Sequence, residues 1–383
     1  MTPQRLTVTT LSALCLAGTS AFAGTDAKAP AAVEPAKEKS VYDKIWSIAK
    51  PYKNEDNPVI QEFAFSGRAQ FEYFNTDADQ GSAEDWEVRR LRFGAKMKLF
   101  EKWVLHGEAD FDAQDPNPFY NKLTDAYLQY QHSDLLNVTL GKHAVKFGLD
   151  GSTSSKELIT IDRSNLANNL WFTEEYAPGV SIAGDKGNWS YFLGWFTSDG
   201  NPEFGEFDAG TFVLTRLGYN FKEALKADNA QLWVDYVYQT PDENNDATRP
   251  FEHIGSVNFL YEKGKFGFGS DVKAGSGYGD QGDVFGVQIM PSYYLTDKVQ
   301  AVFRYTYLNG DDNSVRFARY ENRIMDKATG DQYQEFYAGI NWFLYGHKLK
   351  FQTGLQYAMM DDSANDGGEY DGWQVVTGIR ISW

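Results

Sequence analysis

The sequence predicts an all-β chain: a transmembrane antiparallel up-and-down β-barrel of about 16 strands behind a short N-terminal periplasmic segment. Three observations predict it. From Gln61 onward, apolar and polar residues alternate with a period of two, the mark of strands with one greasy and one wet face. No run of about 18 apolar residues follows residue 23, which excludes helical spans. The joins between strands alternate between short and long, a pattern that a membrane barrel needs and a soluble sandwich does not.

Residues 1–23 read as an export signal. Arg5 is the only charge before Gly24, Leu6 to Ser20 is mostly apolar or small though interrupted by Thr7, Thr9, Thr10 and Ser12, and Ala21-Phe22-Ala23 fits a small-x-small cleavage site. The single cysteine, Cys15, falls in this segment behind Leu14, where a lipoprotein signal uses a small residue. Residues 24–60 are expected to form a periplasmic linker. Its first part is rich in Ala, Pro, Lys and Glu. Ser40 to Lys50 then suggests a short amphipathic helix, with Val41, Ile45 and Ile48 near one face beside Tyr42 and Trp46.

The barrel takes residues 61–383. In the first strand Phe63, Phe65, Gly67, Ala69, Phe71 and Tyr73 alternate with Ala64, Ser66, Arg68, Gln70 and Glu72. In the second Leu91, Phe93, Ala95, Met97 and Leu99 alternate with Arg90, Arg92, Gly94, Lys96 and Lys98. Further strands are placed near 104–112, 122–131, 137–147, 177–185, 188–197, 211–220, 230–239, 252–262, 265–275, 284–295, 299–308, 333–344 and 348–359. The last, 372–383, alternates Trp373, Val375, Thr377, Ile379, Ile381 and Trp383. Joins rich in Asp, Asn and Gly, such as 75–85, 309–330 and 361–371, are read as external loops. An even strand number puts both ends in the periplasm.

Aromatic residues make up 16% of the chain, while the mean hydropathy is −0.50. That combination suits a barrel with aromatic girdles and a wet interior. The net charge of −17 argues against nucleic acid as a partner. Five scattered histidines give no metal-ligand spacing, and Gly275-Ser276-Gly277-Tyr278-Gly279 is followed by Asp280 and no helix. The run Asp361 to Gly367 does not fit a calcium-binding loop. No cofactor and no catalytic residue is implied.

Several short motifs stand in order: Arg89-Arg90-Leu91-Arg92-Phe93-Gly94 with Lys98-Leu99-Phe100 and Trp103; Gly141-Lys142; Phe147-Gly148-Leu149; Ser154-Ser155-Lys156-Glu157; Ile161-Asp162-Arg163-Ser164; Ala177-Pro178-Gly179-Val180; and Gly339 to Phe343 with Gly346 to Lys350. Their order resembles the phosphate-selective porin O and P family. Asp162 stands where the family more often has Glu. The resemblance covers about residues 61–383. It implies a sixteen-stranded porin, usually a homotrimer, whose third loop folds inward as a constriction. In such a loop Lys156 and Arg163 would place positive charge.

Bases at lumen parity cannot face lipid, since each would cost about 2–4 kcal/mol near the bilayer midplane. Arg68, Arg90, Arg92, Lys96, Lys98, Arg304 and Arg380 are therefore read as channel-lining, with Glu72, Glu108, Asp110, Asp125 and Asp235 as offsetting acids. The expected function is passive diffusion of small anionic or neutral hydrophilic solutes across a Gram-negative outer membrane, with a preference for anions and phosphate as its narrower case. Trp383 is read as the signal to the barrel-assembly machinery, and the surrounding partners as outer-membrane lipid and lipopolysaccharide. A plugged structural or adhesion barrel comes second, and an outer-membrane barrel enzyme third.

Overall fold

The computed structural model describes residues 40–172, 175–205, 207–245 and 249–383. The expected signal segment and the first part of the linker lie outside the described residues.

Sixteen antiparallel strands follow one another in chain order: β1 Ile60–Ala78, β2 Gly81–Leu99, β3 Trp103–Phe111, β4 Tyr120–Ser133, β5 Leu136–Ala144, β6 Tyr176–Lys186, β7 Trp189–Thr197 and β8 Thr211–Asn220. They continue as β9 Asn229–Gln239, β10 Phe251–Lys263, β11 Phe266–Gly277, β12 Val284–Tyr294, β13 Val299–Gly310, β14 Gln332–Tyr345, β15 Leu349–Asp361 and β16 Tyr370–Ser382. β16 pairs with β1 from Gly372↔Ala78 to Ser382↔Arg68, so the sheet closes on itself and keeps no long free edge.

Alternation carries through to burial. On β16, Trp373, Val375 and Ile379 are exposed while Gln374, Val376 and Arg380 are buried. On β1 and β2, Phe71 and Phe93 are exposed while Gln70, Glu72 and Arg92 are buried. The apolar set faces out and the polar set faces in, the reverse of a soluble globule. No described helix is long and apolar enough to cross a membrane.

One end of the barrel carries short joins such as 134–135, 187–188 and 264–265; the other carries the long ones, including 145–175, 198–210 and 311–331. Both ends of the described chain lie at the short-turn end. The expected loop at 75–85 is instead strand: β1 and β2 pair through to Ala78↔Gly81. Gly81, at φ 143°, supplies backbone freedom for this tight turn. The acids there decorate a projecting hairpin rather than a loop, with Glu84 accepting from Tyr73 and Asn75.

The predicted helix is α1, Val41–Ser47, started by a Ser40–Asp43 capping box. Of the expected face only the aromatic part docks. Tyr42 stacks on Tyr345 at 5.3 Å, and Trp46 Nε1 donates to Ser382 O at 2.7 Å. Val41, Ile45 and Ile48 are exposed. The aromatic pair wins because the rim offers a ring and a carbonyl, which suit amphipathic side chains better than aliphatic ones. Tyr52–Lys53 then pairs with Phe63 and Glu62 on β1, beyond the last pair that β16 makes.

The apolar core sits inside the barrel towards the long-loop end. Phe147, Leu166, Leu170 and Phe172 of loop 145–175 meet Phe196, Phe212, Val237 and Phe251 of the wall. Val315 and Phe317 of loop 311–331 join the same cluster. Each large side chain so buried stabilises by about 1.5–3 kcal/mol. The cluster fixes both loops within the mouth.

Candidate functional site: the charged passage beside the third long loop

The third long join, 145–175, leaves β5 and is tied to the opposite wall. It begins at Gly148, at φ 65°, where an added Cβ would meet Lys273 Cε at 2.5 Å. The N–H groups of Gly148 and Leu149 open α2 (Gly148–Ser152) and donate to Asp235 Oδ2 and Asp271 Oδ2, each at 2.8 Å. Two inward carboxylates thus hold a helix start, as the orphan N–H groups there require. Asp150 then accepts from Ser164 N and Oγ, both at 2.8 Å, which joins the loop's two halves just before α3 (Asn165–Asn169).

Between the two short helices the chain turns at 155–157 and bends through 159–162, so most of its carbonyls lack helical partners and need others. The wall supplies them from inward side chains. Asn341 donates to Ile159 O at 2.7 Å, Gln352 to Leu158 O at 3.2 Å and Gln70 to Ser155 O at 3.0 Å. Arg380 donates to Ile161 O and Arg304 to Asp162 O, each at 2.8 Å. Tyr337 Oη accepts from Ile161 N.

Every proposed channel-lining arginine has an acidic neighbour. Arg68 lies 3.1 Å from Glu108, Arg92 3.4 Å from Asp110, and Arg90 3.3 Å from Glu175. Arg304 lies 2.6 Å from Glu335 and Arg380 2.5 Å from Glu72. All five are buried. Lys96 is half-buried, and Lys98 is exposed close to the short-turn rim, away from this cluster. Lys156 Nζ donates to Trp383 O at 2.9 Å. Arg163 donates to Asp150 O and Thr153 O and pairs with Glu175. Trp383 itself lies across Gly67, with its ring 6.3 Å from that of the outward Phe93.

Sequence reasoning missed Arg89. Strict alternation puts it outside with Leu91, but the register slips between Gln70 and Phe71, and Arg89 has no partner on β1. This bulge turns Arg89 inward, 3.4 Å from Asp162 and 3.6 Å from Glu72. Beyond the bulge the parity reverses, so Trp86 is exposed and Glu87 buried. Two adjacent arginines before a third were the available signal, since a regular strand cannot turn both inward.

The seventh long join, 311–331, completes the mouth. Tyr320 Oη donates to Glu72 and its ring stacks on Phe74 at 4.2 Å. Arg319 and Arg323 both reach Glu87. Glu321, just before α4 (Asn322–Met325), accepts from Tyr333 Oη, Gln356 Nε2 and Ala318 N. Burial pushes its carboxyl up to about 7 despite those three donors. A raised value means that the packed loop holds a proton which a released, solvated carboxyl, ordinarily near 4.3, gives up. The loop's hold is full at low pH and weakens as pH rises to about 7. Single-channel conductance is therefore expected to be larger at about pH 8 than at about pH 5. Glu321→Gln should flatten that dependence, and an equal dependence in both proteins would remove the idea.

Among the described residues, no cluster of acidic, histidine or cysteine side chains forms a metal site. The sequence matches the phosphate-selective porin O and P family over residues 63–265. The chain belongs to that family. This porin shares its fold with solved outer-membrane barrels. The anion-selective porin of Comamonas acidovorans has 11% identity and a TM-score of 0.59, over 84% of this chain and 99% of that one. The outer membrane channel DcaP of Acinetobacter baumannii has 12% identity and a TM-score of 0.57, over 87% and 99%. OmpT of Vibrio cholerae has 12% identity and a TM-score of 0.55, over 87% and 100%. No curated protein matches the sequence. Family and fold together make the protein an outer-membrane channel of the porin class.

Proposed function

We propose that this porin is a passive diffusion channel for small hydrophilic solutes, with the third long loop as its constriction. The observation that carries the reading is the set of hydrogen bonds tying 155–162 to inward side chains of β1 and β13–β16. That anchoring leaves the space beside β1–β4 as the water path, where Arg89, Asp162 and Glu175 keep partial exposure. Wall charge biases which ions enter. The bases favour anions, and the acids beside them reduce that bias, so a weak anion preference is expected rather than a phosphate-specific one. The anion-selective neighbour agrees in sign. The reading extends to a homotrimer bedded in outer-membrane lipid and lipopolysaccharide, both chain ends periplasmic, with Trp383 as the assembly signal.

Reversal potentials across a salt gradient in planar bilayers test it, with chloride and phosphate compared. Stepwise conductance with a small anion-side potential and no advantage for phosphate is expected. Strong cation selectivity would overturn the bias, and absence of conductance would favour a plugged barrel.

A further inference from the structure

Resting on that channel reading, we propose that the passage favours solutes carrying both charges at once, namely small α-amino acids and short peptides in zwitterionic form. The inference starts from a row of side chains across three neighbouring strands. Arg68 on β1 is the register partner of Arg92 on β2, and Arg92 that of Asp110 on β3. Each keeps one polar atom with no hydrogen-bond partner in the protein: Arg68 Nε, Arg92 Nε and Asp110 Oδ1. Arg68 and Arg92 are 6% and 4% exposed, where a donor without a partner is costly. Asp110 and Glu175 are more open, with side chains 13% and 21% exposed, so the row borders the water path.

The row reads donor, donor, acceptor. A solute carboxylate that inserts here can accept from the two guanidinium Nε atoms, taking the place of Asp110 Oδ2, which now lies 3.4 Å from Arg92 Nε, while its ammonium donates to Asp110 Oδ1. An α-amino acid places its ammonium one carbon from its carboxylate, within the roughly 5 Å that separates neighbouring strands. A simple anion does worse. Glu108 and Asp110 already stand 3.1 and 3.4 Å from the same guanidinium groups and repel an added negative charge. A simple cation meets the two arginines. A zwitterion gains from both signs and adds no net charge to a passage whose bases and acids nearly match. Contacts of this kind are weak enough for release, as conduction requires.

Alanine, lactate and alaninol share one carbon frame and differ in charge. Tracer efflux of each from proteoliposomes, at equal salt on both sides, tests the proposal. Alanine is expected to leave about fivefold faster than lactate or alaninol. In Asp110→Asn the lead of alanine over lactate should shrink towards parity. The proposal is overturned if wild-type efflux of lactate or alaninol equals or exceeds that of alanine, or if Asp110→Asn keeps the ratio. The wild-type comparison decides even where the variant fails to fold. Should none of the solutes nor potassium chloride cross, the channel reading itself falls; should salt and all three cross alike, only the zwitterion preference does.

Discussion

Excising residues 311–330 and joining Gly310 to Asp331 through a two-residue turn is expected to raise single-channel conductance by at least about twofold. The two residues are already adjacent, since Gly310 N donates to Asp331 O at 2.8 Å and Asn309 faces Gln332 across β13 and β14. A hairpin turn closes that gap without strain. The excised segment fills the mouth. Val315, Phe317, Tyr320 and Met325 are buried there, and Asn165, Asn168 and Asn169 of the third loop donate to Arg316 O and Phe317 O. Its removal opens space above the constriction and frees α3 to move. Noise in the open current should rise along with conductance. An unchanged conductance would mean that the seventh loop lies clear of the current path, and that the third loop alone sets its width.

That role was only partly legible in the sequence. The Asp, Asn and Gly at both ends of 309–330 read as a solvated loop. The signal lay in its middle, where Val315, Phe317, Tyr320 and Ile324 recur too densely for a segment in water. Alternation, by contrast, located β13, β15 and β16 closely, because lipid outside and water inside impose opposite demands on successive residues. It failed at Arg89, where one bulged residue reverses the parity of everything before it. It also named lumen bases and offsetting acids without showing which of them pair. Arg380 and Glu72 stand at opposite ends of the barrel sequence, and only closure of β16 on β1 makes them neighbours. Charge matching across a seam is a property of the ring, not of either strand. The same holds for Arg304 and Glu335, which meet because β13 pairs directly with β14 after the long excursion between them.

Arg380→Met is expected to cost about 3–5 kcal/mol of stability, read as a lower temperature for the heat-induced mobility shift of the folded barrel on detergent gels. Arg380 reaches three parts of the molecule at once. It pairs with Glu72 on β1, donates to Gln70 Oε1 at 2.9 Å across the closing seam, and donates to Ile161 O on the third loop. Glu72 is fully buried and also receives Tyr320 Oη from the seventh loop. Methionine matches much of the arginine's volume but leaves Glu72 with Arg89, 3.6 Å away, as its nearest remaining base. The cost of burying that carboxylate then falls on the seam and on both loops together. Because a buried pair replaced as a unit is far less damaging than a buried charge left alone, Arg380→Met with Glu72→Met should recover most of the loss. If Arg380→Met alone melts like the wild type, the cluster is not what locks seam to loops. If the double variant is worse than the single one, packing volume rather than charge is the controlling quantity at this junction.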